Sequence, residues 1–261
     1  MLEEGLTKLG LDTAAMGSAV KLLTRYVEEI ELFNPAYGLV KVQDRRELLV
    51  KHILDSLAPL KIIRRLLDGR PCDAENAPCR KIPAIADVGS GAGLPGIPLA
   101  ICMPAAEFTL IERMGRRAGF LRNTLAMLAL PNVRVEEAEM EKAAGGRFDL
   151  LVFRAFRPLE PAILKGLCRL LAPGGIIAAY KGRRESVEEE MARLLGDVPP
   201  KERFNRELIT REILPWELIP WEIIPLEVPF LEEERHLFVI RPQAHKDSSS
   251  HGSLLPYGSL P

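Results

Sequence analysis

The run Asp87-Val88-Gly89-Ser90-Gly91-Ala92-Gly93-Leu94-Pro95-Gly96 constrains this chain more than any other ten residues. A short apolar segment (82–88) leads into it and a helical pattern (95–101) leaves it. The glycines therefore sit where a strand must turn sharply into a helix, and where bare backbone can approach a ligand. Gly91 to Gly96 matches G-x-G-x-x-G literally, the dinucleotide fingerprint, but the register is wrong. In a dinucleotide site the first glycine directly follows the strand, whereas here Asp87 ends the strand and Gly89-x-Gly91 comes first. A carboxylate ahead of G-x-G-x-G suits a cofactor with a free ammonium beside its own carboxylate, because Asp87 compensates the ammonium directly or through water. S-adenosylmethionine has that chemistry.

The residues downstream repeat the strand-to-helix rhythm. Apolar strands are expected at 108–111, 133–135, 148–153, 176–180 and 235–240, with helices at 115–128 and 158–171 and a turn at Pro173-Gly174-Gly175. Alternation of this kind predicts a mostly parallel sheet covered on both faces, with ligands beyond the carboxyl ends of the central strands. The expected fold is α/β, a class I (Rossmann-like) methyltransferase with seven strands and a helical N-terminal subdomain. In that subdomain one amphipathic helix runs from Val20 to Phe33 and ends at Asn34-Pro35, and a second spans 45–67. The domain reading is 1–80 helical, 81–241 catalytic and 242–261 a disordered tail, with a proline-rich linker at 68–83. Within the catalytic part, 213–229 carries a tandem pentad in which Pro215, Pro220 and Pro225 recur every five residues, each followed two residues on by glutamate. Five fits neither strand nor helix periodicity, so this insertion reads as an extended surface loop or sheet edge. Its Trp216 and Trp221 read as local packing, with a partner-binding surface as the other reading.

Charge bears on the partner. The 261 residues sum to −1, but 1–184 carry 27 basic and 21 acidic side chains while 185–240 carry 6 and 14, so a polyanion partner for the first part stays open. Cys72, Cys79, Cys102 and Cys168 have no C-x-x-C spacing, which predicts reduced thiols and no zinc or other metal site. Without a signal-peptide core or a membrane-length apolar run, the expected location is the cytoplasm and no membrane is involved.

Three features narrow the chemistry. Glu112 ends the second strand, where a carboxylate accepts hydrogen bonds from ribose hydroxyls or simply neighbours a helix start. After the fourth strand, where amino-group methyltransferases carry Asn/Asp-Pro-Pro-aromatic, stands Phe153-Arg154-Ala155-Phe156. Cys168 lies inside a helical pattern, unlike the nucleophile that ring-carbon methylation needs. A ring nitrogen with an available lone pair requires neither device, only alignment and exclusion of water.

Val50-Lys51-His52-Ile53-Leu54-Asp55-Ser56, DVGSGAGLPGIP from Asp87, GRRAGFLR from Gly115, Arg154-Ala155-Phe156, Tyr180-Lys181-Gly182 and Glu234-Arg235-His236-Leu237 occur in the order and spacing of the RsmG (GidB) family, which the chain resembles over about 20–241. The resemblance implies methylation of N7 of one guanine, guanine 527 in the 530 loop of 16S ribosomal RNA. S-adenosyl-L-methionine would be the methyl donor and S-adenosyl-L-homocysteine the product. Naked 16S rRNA or the small ribosomal subunit is the implied partner, with no obligate protein partner and a monomer expected. It also implies cofactor contacts at Gly89, Leu94, Glu112, Arg113, Met114, Met140, Glu141 and Arg154, beside Asp87 of the loop. The catalytic residue stays unknown; His52, Asp55 and Arg154 are the positioning candidates. Arg116, Arg117, Arg122, Phe156, Lys181, Arg183 and Arg184 are candidates for RNA, the cations for phosphates and Phe156 for stacking a base. The family usually has Asn-Leu-Thr where this chain has Gly38-Leu39-Val40, and Asp where it has Glu112. Two other functions are kept: a small-molecule methyltransferase, which needs an enclosed apolar pocket, and a non-catalytic ribosome-associated module with the same fold.

Overall fold

A computed structural model describes residues 1–14, 16–69, 82–195 and 220–242. Five helices precede the sheet: α1 (Leu2–Lys8), α2 (Gly17–Tyr37), α3 (Arg45–Leu48), α4 (Asp55–Leu57) and α5 (Leu60–Asp68), with a π-helical segment, Leu49–Leu54, joining α3 to α4. The apolar stripe of α2, Leu23, Tyr26, Val27 and Ile30, is buried against the core, and the Tyr26 hydroxyl donates to the Ala92 carbonyl at 2.7 Å. The N-terminal helices are thereby fastened to the glycine loop.

The strands are β1 (Ala84–Val88), β2 (Glu107–Ile111), β3 (Val133–Glu136), β4 (Phe148–Arg154), β5 (Leu171–Lys181), β6 (Trp221–Leu226) and β7 (Arg235–Ile240). They form one seven-stranded sheet in the order β3-β2-β1-β4-β5-β7-β6. The first five run parallel, β7 is antiparallel to β5 and β6 antiparallel to β7. Every residue of β1 is buried, as expected of a parallel strand covered on both faces. Helices α6 (Gly96–Cys102) and α7 (Gly115–Leu128) pack with α2 on one side, and α8 (Pro161–Leu170) and α9 (Arg184–Leu195) cover the other. Strand order reverses between β1 and β4, the place where ligand crevices open in such sheets. This topology bears out the expected class I fold.

Three local expectations change. Pro35 does not stop α2: it lies in the last turn, and the helix ends at Gly38, whose left-handed φ of 59° lets its amide reach the Asn34 carbonyl at 2.8 Å. The single helix expected over 45–67 is interrupted by the π-helical segment and again at Pro59, which lacks an amide to donate. Pro173-Gly174-Gly175 lies inside β5 as a bulge: Phe148 pairs with Leu171, yet Leu150 pairs with Ile176. The second unit of the pentad repeat forms β6, the outer strand, in keeping with the expected sheet edge; there Pro225 costs no interior ladder bond and Trp221 sits edge-on to Phe238 at 5.9 Å. The first unit, with Pro215 and Trp216, lies outside the described residues, as do Cys72, Cys79 and the tail. No helix among the described residues is long and apolar enough to cross a membrane.

Candidate functional site

The loop after β1 turns through three left-handed glycines, Gly89 (φ 73°), Gly91 (59°) and Gly93 (93°). Asp87 organises it from below. Its carboxyl is fully buried, Oδ2 accepts the Gly96 amide at 2.8 Å, and Oδ1 has no hydrogen-bond partner. A Cβ on Gly96 would stand 2.7 Å from that carboxylate and 2.5 Å from Leu110, so this glycine is required by space. Burial pushes the Asp87 carboxyl up to about 7, against the Gly96 amide and the Arg154 charge. Asp87 therefore supports the loop and does not line the cleft above it. Its buried, half-satisfied charge still favours a cation overhead, which fits a cofactor bearing an ammonium and a sulfonium.

Glu112, 4% exposed at the end of β2, is tied at both oxygens: Oε2 accepts the Gly91 amide at 2.9 Å and Oε1 the Met114 amide at 2.8 Å. Each oxygen keeps a second lone pair, so a ribose diol remains compatible with this arrangement. Gly89, Glu112, Arg113, Met114, Met140 and Glu141 line one cavity of about 460 Å³. Met140 is buried against Gly166 and Met114 is half-exposed across the cleft. Leu94 does not line this cavity; its side chain is buried in the core.

A second cavity, about 780 Å³, opens at the ends of β4, β5 and β7. Arg154 forms its inner wall. Its Nη1 donates to Asp55 Oδ2 at 2.7 Å and to the Lys51 carbonyl at 2.9 Å, and its Nη2 lies 2.9 Å from His52 Nδ1. The positioning trio named from sequence is thus one cluster, with the π-helical segment presenting His52 and a backbone carbonyl to the same guanidinium. Since arginine only donates, His52 Nδ1 is the acceptor and the ring proton belongs on Nε2. Arg154 is consequently turned toward the helical subdomain. Tyr180, Glu190, Arg235 and His236 complete this cavity and were not assigned roles from sequence; their places depend on β5, α9 and β7 converging.

Ala155, Phe156 and Arg157 line both cavities and so form the partition between them. Ala155 has a left-handed φ of 49°, and Phe156 rests on the bare face of Gly89, where a Cβ would meet its ring at 2.5 Å. Arg157, another residue that sequence reasoning missed, stacks on the Phe156 ring at 4.8 Å and pairs with Glu141 at 2.7 Å, holding that carboxyl below its usual range.

The RNA candidates disperse. Arg116 donates to the Ala36 carbonyl and lies over the Tyr37 ring at 4.6 Å, a clamp between α7 and α2. Arg122 pairs with Glu137, Lys181 with Glu190 and Arg184 with Glu188. Arg117 lines the first cavity, and Arg183 is exposed with no ion pair among the described residues. Spacing cannot reveal such pairings, because most partners come from other elements.

Burial and the Arg154 charge push the His52 imidazole down to about 4. A depressed basic group contributes stability at neutral pH that is lost as pH falls from the unfolded value, near 6.5, through 4. The stability of wild type relative to His52→Gln should therefore shrink by up to roughly 3 kcal/mol over that window in urea titrations. A pH-independent difference would refute the neutral, buried ring.

Comparison with known proteins shows a family. Residues 19–195 match the family described as rRNA small subunit methyltransferase G (GidB). The chain is 36% identical over 256 residues to Ribosomal RNA small subunit methyltransferase G of Treponema denticola, covering 92% of this chain and 93% of that protein. The proteins of the same description from Treponema pallidum and Xanthomonas axonopodis pv. citri are 38% identical over 244 residues and 37% over 246, with 92% of this chain covered in each case, and 92% and 93% of theirs.

Proposed function

Since the chain belongs to the rRNA small subunit methyltransferase G family, we propose that it transfers a methyl group to N7 of one guanine of 16S rRNA, guanine 527 by the family's pattern, in the cytoplasm and as a monomer. The cofactor is S-adenosylmethionine, which supplies an electrophilic methyl on a sulfonium sulfur. The observation that carries the reading is the pair of cavities meeting at Ala155–Arg157. Gly89, whose lack of a side chain leaves room for close approach, with Glu112, Met114 and Met140 would hold the cofactor in the first cavity, and the second would receive the base.

Guanine N7 carries a lone pair and no proton, so no general base is required; the protein's task is alignment and exclusion of water. Phe156, between the cavities, offers a face for stacking the base. His52, neutral at physiological pH, adds no positive charge where the base becomes cationic, and Asp55 and Glu190 are the carboxylates in the lining. Lys51, Arg154, Arg157, Lys181 and Arg235 surround the same space, unlike the enclosed apolar pocket a small-molecule methyltransferase needs.

The test is incubation of the protein with methyl-labelled S-adenosylmethionine and either 30S subunits or naked 16S RNA from a strain lacking the modification. Label should enter RNA and map to a single 7-methylguanine. Label in metabolite extracts but in neither RNA would sink the proposal, and failure to bind S-adenosylhomocysteine would favour a non-catalytic module.

A further inference from the structure

Helix α8 stands behind the first cavity: neither Gly166 nor Arg169 lines it, yet both hold residues that do. We propose that these two are positioning residues for the cofactor. Gly166 leaves space into which the Met140 side chain draws back, and Arg169 clamps the turn that carries Met140 and Glu141; this rests on reading the first cavity as the cofactor site.

The turn follows β3. Within it the Lys142 and Ala143 amides donate to the Glu139 carbonyl at 2.9 and 3.2 Å. A single turn is too short to hold itself, since forming it fixes several residues for few hydrogen bonds. Three of its carbonyls converge instead on one side chain: Arg169 Nη1 donates to Ala143 at 2.7 Å, and Nη2 to Met140 at 2.9 Å and Glu141 at 3.1 Å. A planar fork with five donors serves three acceptors at once, which a single ammonium on a flexible stem does less well. The Arg169 backbone grips the same segment, its carbonyl accepting the Gly146 amide at 2.9 Å. Leu164, Leu167 and Leu170 are buried, so the clamp is carried on an anchored helix.

Gly166 lies three residues earlier, on the same face of α8. A Cβ there would stand 2.5 Å from Met140 Cε and 3.6 Å from Sδ, so the thioether rests on bare helix backbone. Gly166 has no positive φ to demand a glycine, and glycine inside a helix is less stable than alanine. What the missing side chain provides is space. Met140 lines the first cavity and has α8 at its back, so filling the position from behind drives its flexible end toward the space assigned to the cofactor.

The experiment compares full-length wild type, Gly166→Ala, Arg169→Met and Arg169→Lys. S-adenosylhomocysteine affinity is measured by calorimetry, beside melting temperature and steady-state constants on the rRNA substrate. Gly166→Ala should weaken S-adenosylhomocysteine about tenfold and raise KM for S-adenosylmethionine in proportion, yet melt at or above the wild-type temperature, because alanine strengthens the helix. Arg169→Met keeps the stem and removes the donors. It should cost about tenfold in cofactor affinity, with kcat at saturating cofactor and KM for RNA within about twofold of wild type. Arg169→Lys should recover part of that loss, because it keeps a donor beside the carbonyls. Unchanged cofactor affinity in Gly166→Ala or Arg169→Met would overturn that residue's part. Losses that track a fall in melting temperature and a parallel rise in KM for RNA would make both residues purely structural and overturn the whole. Wild type that binds no S-adenosylhomocysteine, or binding indifferent to Gly89→Val, would instead overturn the cavity assignment on which the proposal rests.

Discussion

Gly89→Val should lose S-adenosylhomocysteine binding by at least about 100-fold in calorimetric titration, while the protein stays folded. Two independent effects combine. At φ 73° any side chain meets the left-handed penalty, about 1–2 kcal/mol and more for a β-branched residue. The new Cβ would also stand 2.5 Å from Phe156 Cδ2 and 2.9 Å from Cε2. Phe156 cannot easily yield, because Phe153 lies 5.9 Å away and the Arg157 guanidinium, itself tied to Glu141, covers its ring. The partition must then open or the loop must shift, and the Gly89 amide, now 2.8 Å from the Ile111 carbonyl, shifts with it. A Gly89→Ala, Phe156→Ala double variant separates the terms: it relieves the collision and keeps the backbone penalty, so it should bind better than Gly89→Ala alone. Near wild-type binding by Gly89→Val would show that the cleft over this loop is not the cofactor site.

The same loop explains what was legible in the sequence. Glycines at fixed offsets after an apolar strand report backbone geometry, which is local, and the strand-helix alternation reports which segments are covered on both faces; together these yield the sheet and the carboxyl edge where the cavities open. Asp87 was recognised as part of the loop but its partner was not, since a carboxylate below a turn and one above it look alike in sequence. The misread helix end at Pro35 has a similar origin: proline removes one donor, which the last turn tolerates, and the stop comes from Gly38. Side chains that act over distance were the least legible. Arg116 looked like a phosphate ligand until α2 supplied the Ala36 carbonyl and the Tyr37 ring, and Arg154 looked aimed at a ligand until the π-helical segment, about a hundred residues earlier, came to meet it.

That meeting carries the second large effect. Asp55→Leu should destabilise the protein by about 3–5 kcal/mol in urea unfolding, the usual consequence of stranding buried charge. Two cations lose their counter-ion at once, Arg154 at 2.7 Å and Arg235 at 3.2 Å, in side chains less than a quarter exposed. Arg154→Met is a smaller injury despite removing more hydrogen bonds, because Asp55 keeps Arg235 as a counter-ion and the His52 ring is neutral without help. The expected order of stability is thus wild type, then Arg154→Met, then Asp55→Leu. Adding Arg154→Met to Asp55→Leu should recover part of the loss, since one of the stranded charges disappears; strict additivity of the two single effects would contradict a shared electrostatic origin. The order bears on function as well. If Asp55 is the charge that allows two guanidiniums to stand in one cavity wall, the helical subdomain is part of the proposed acceptor site, and its π-helical segment sets the position of the groups that line it.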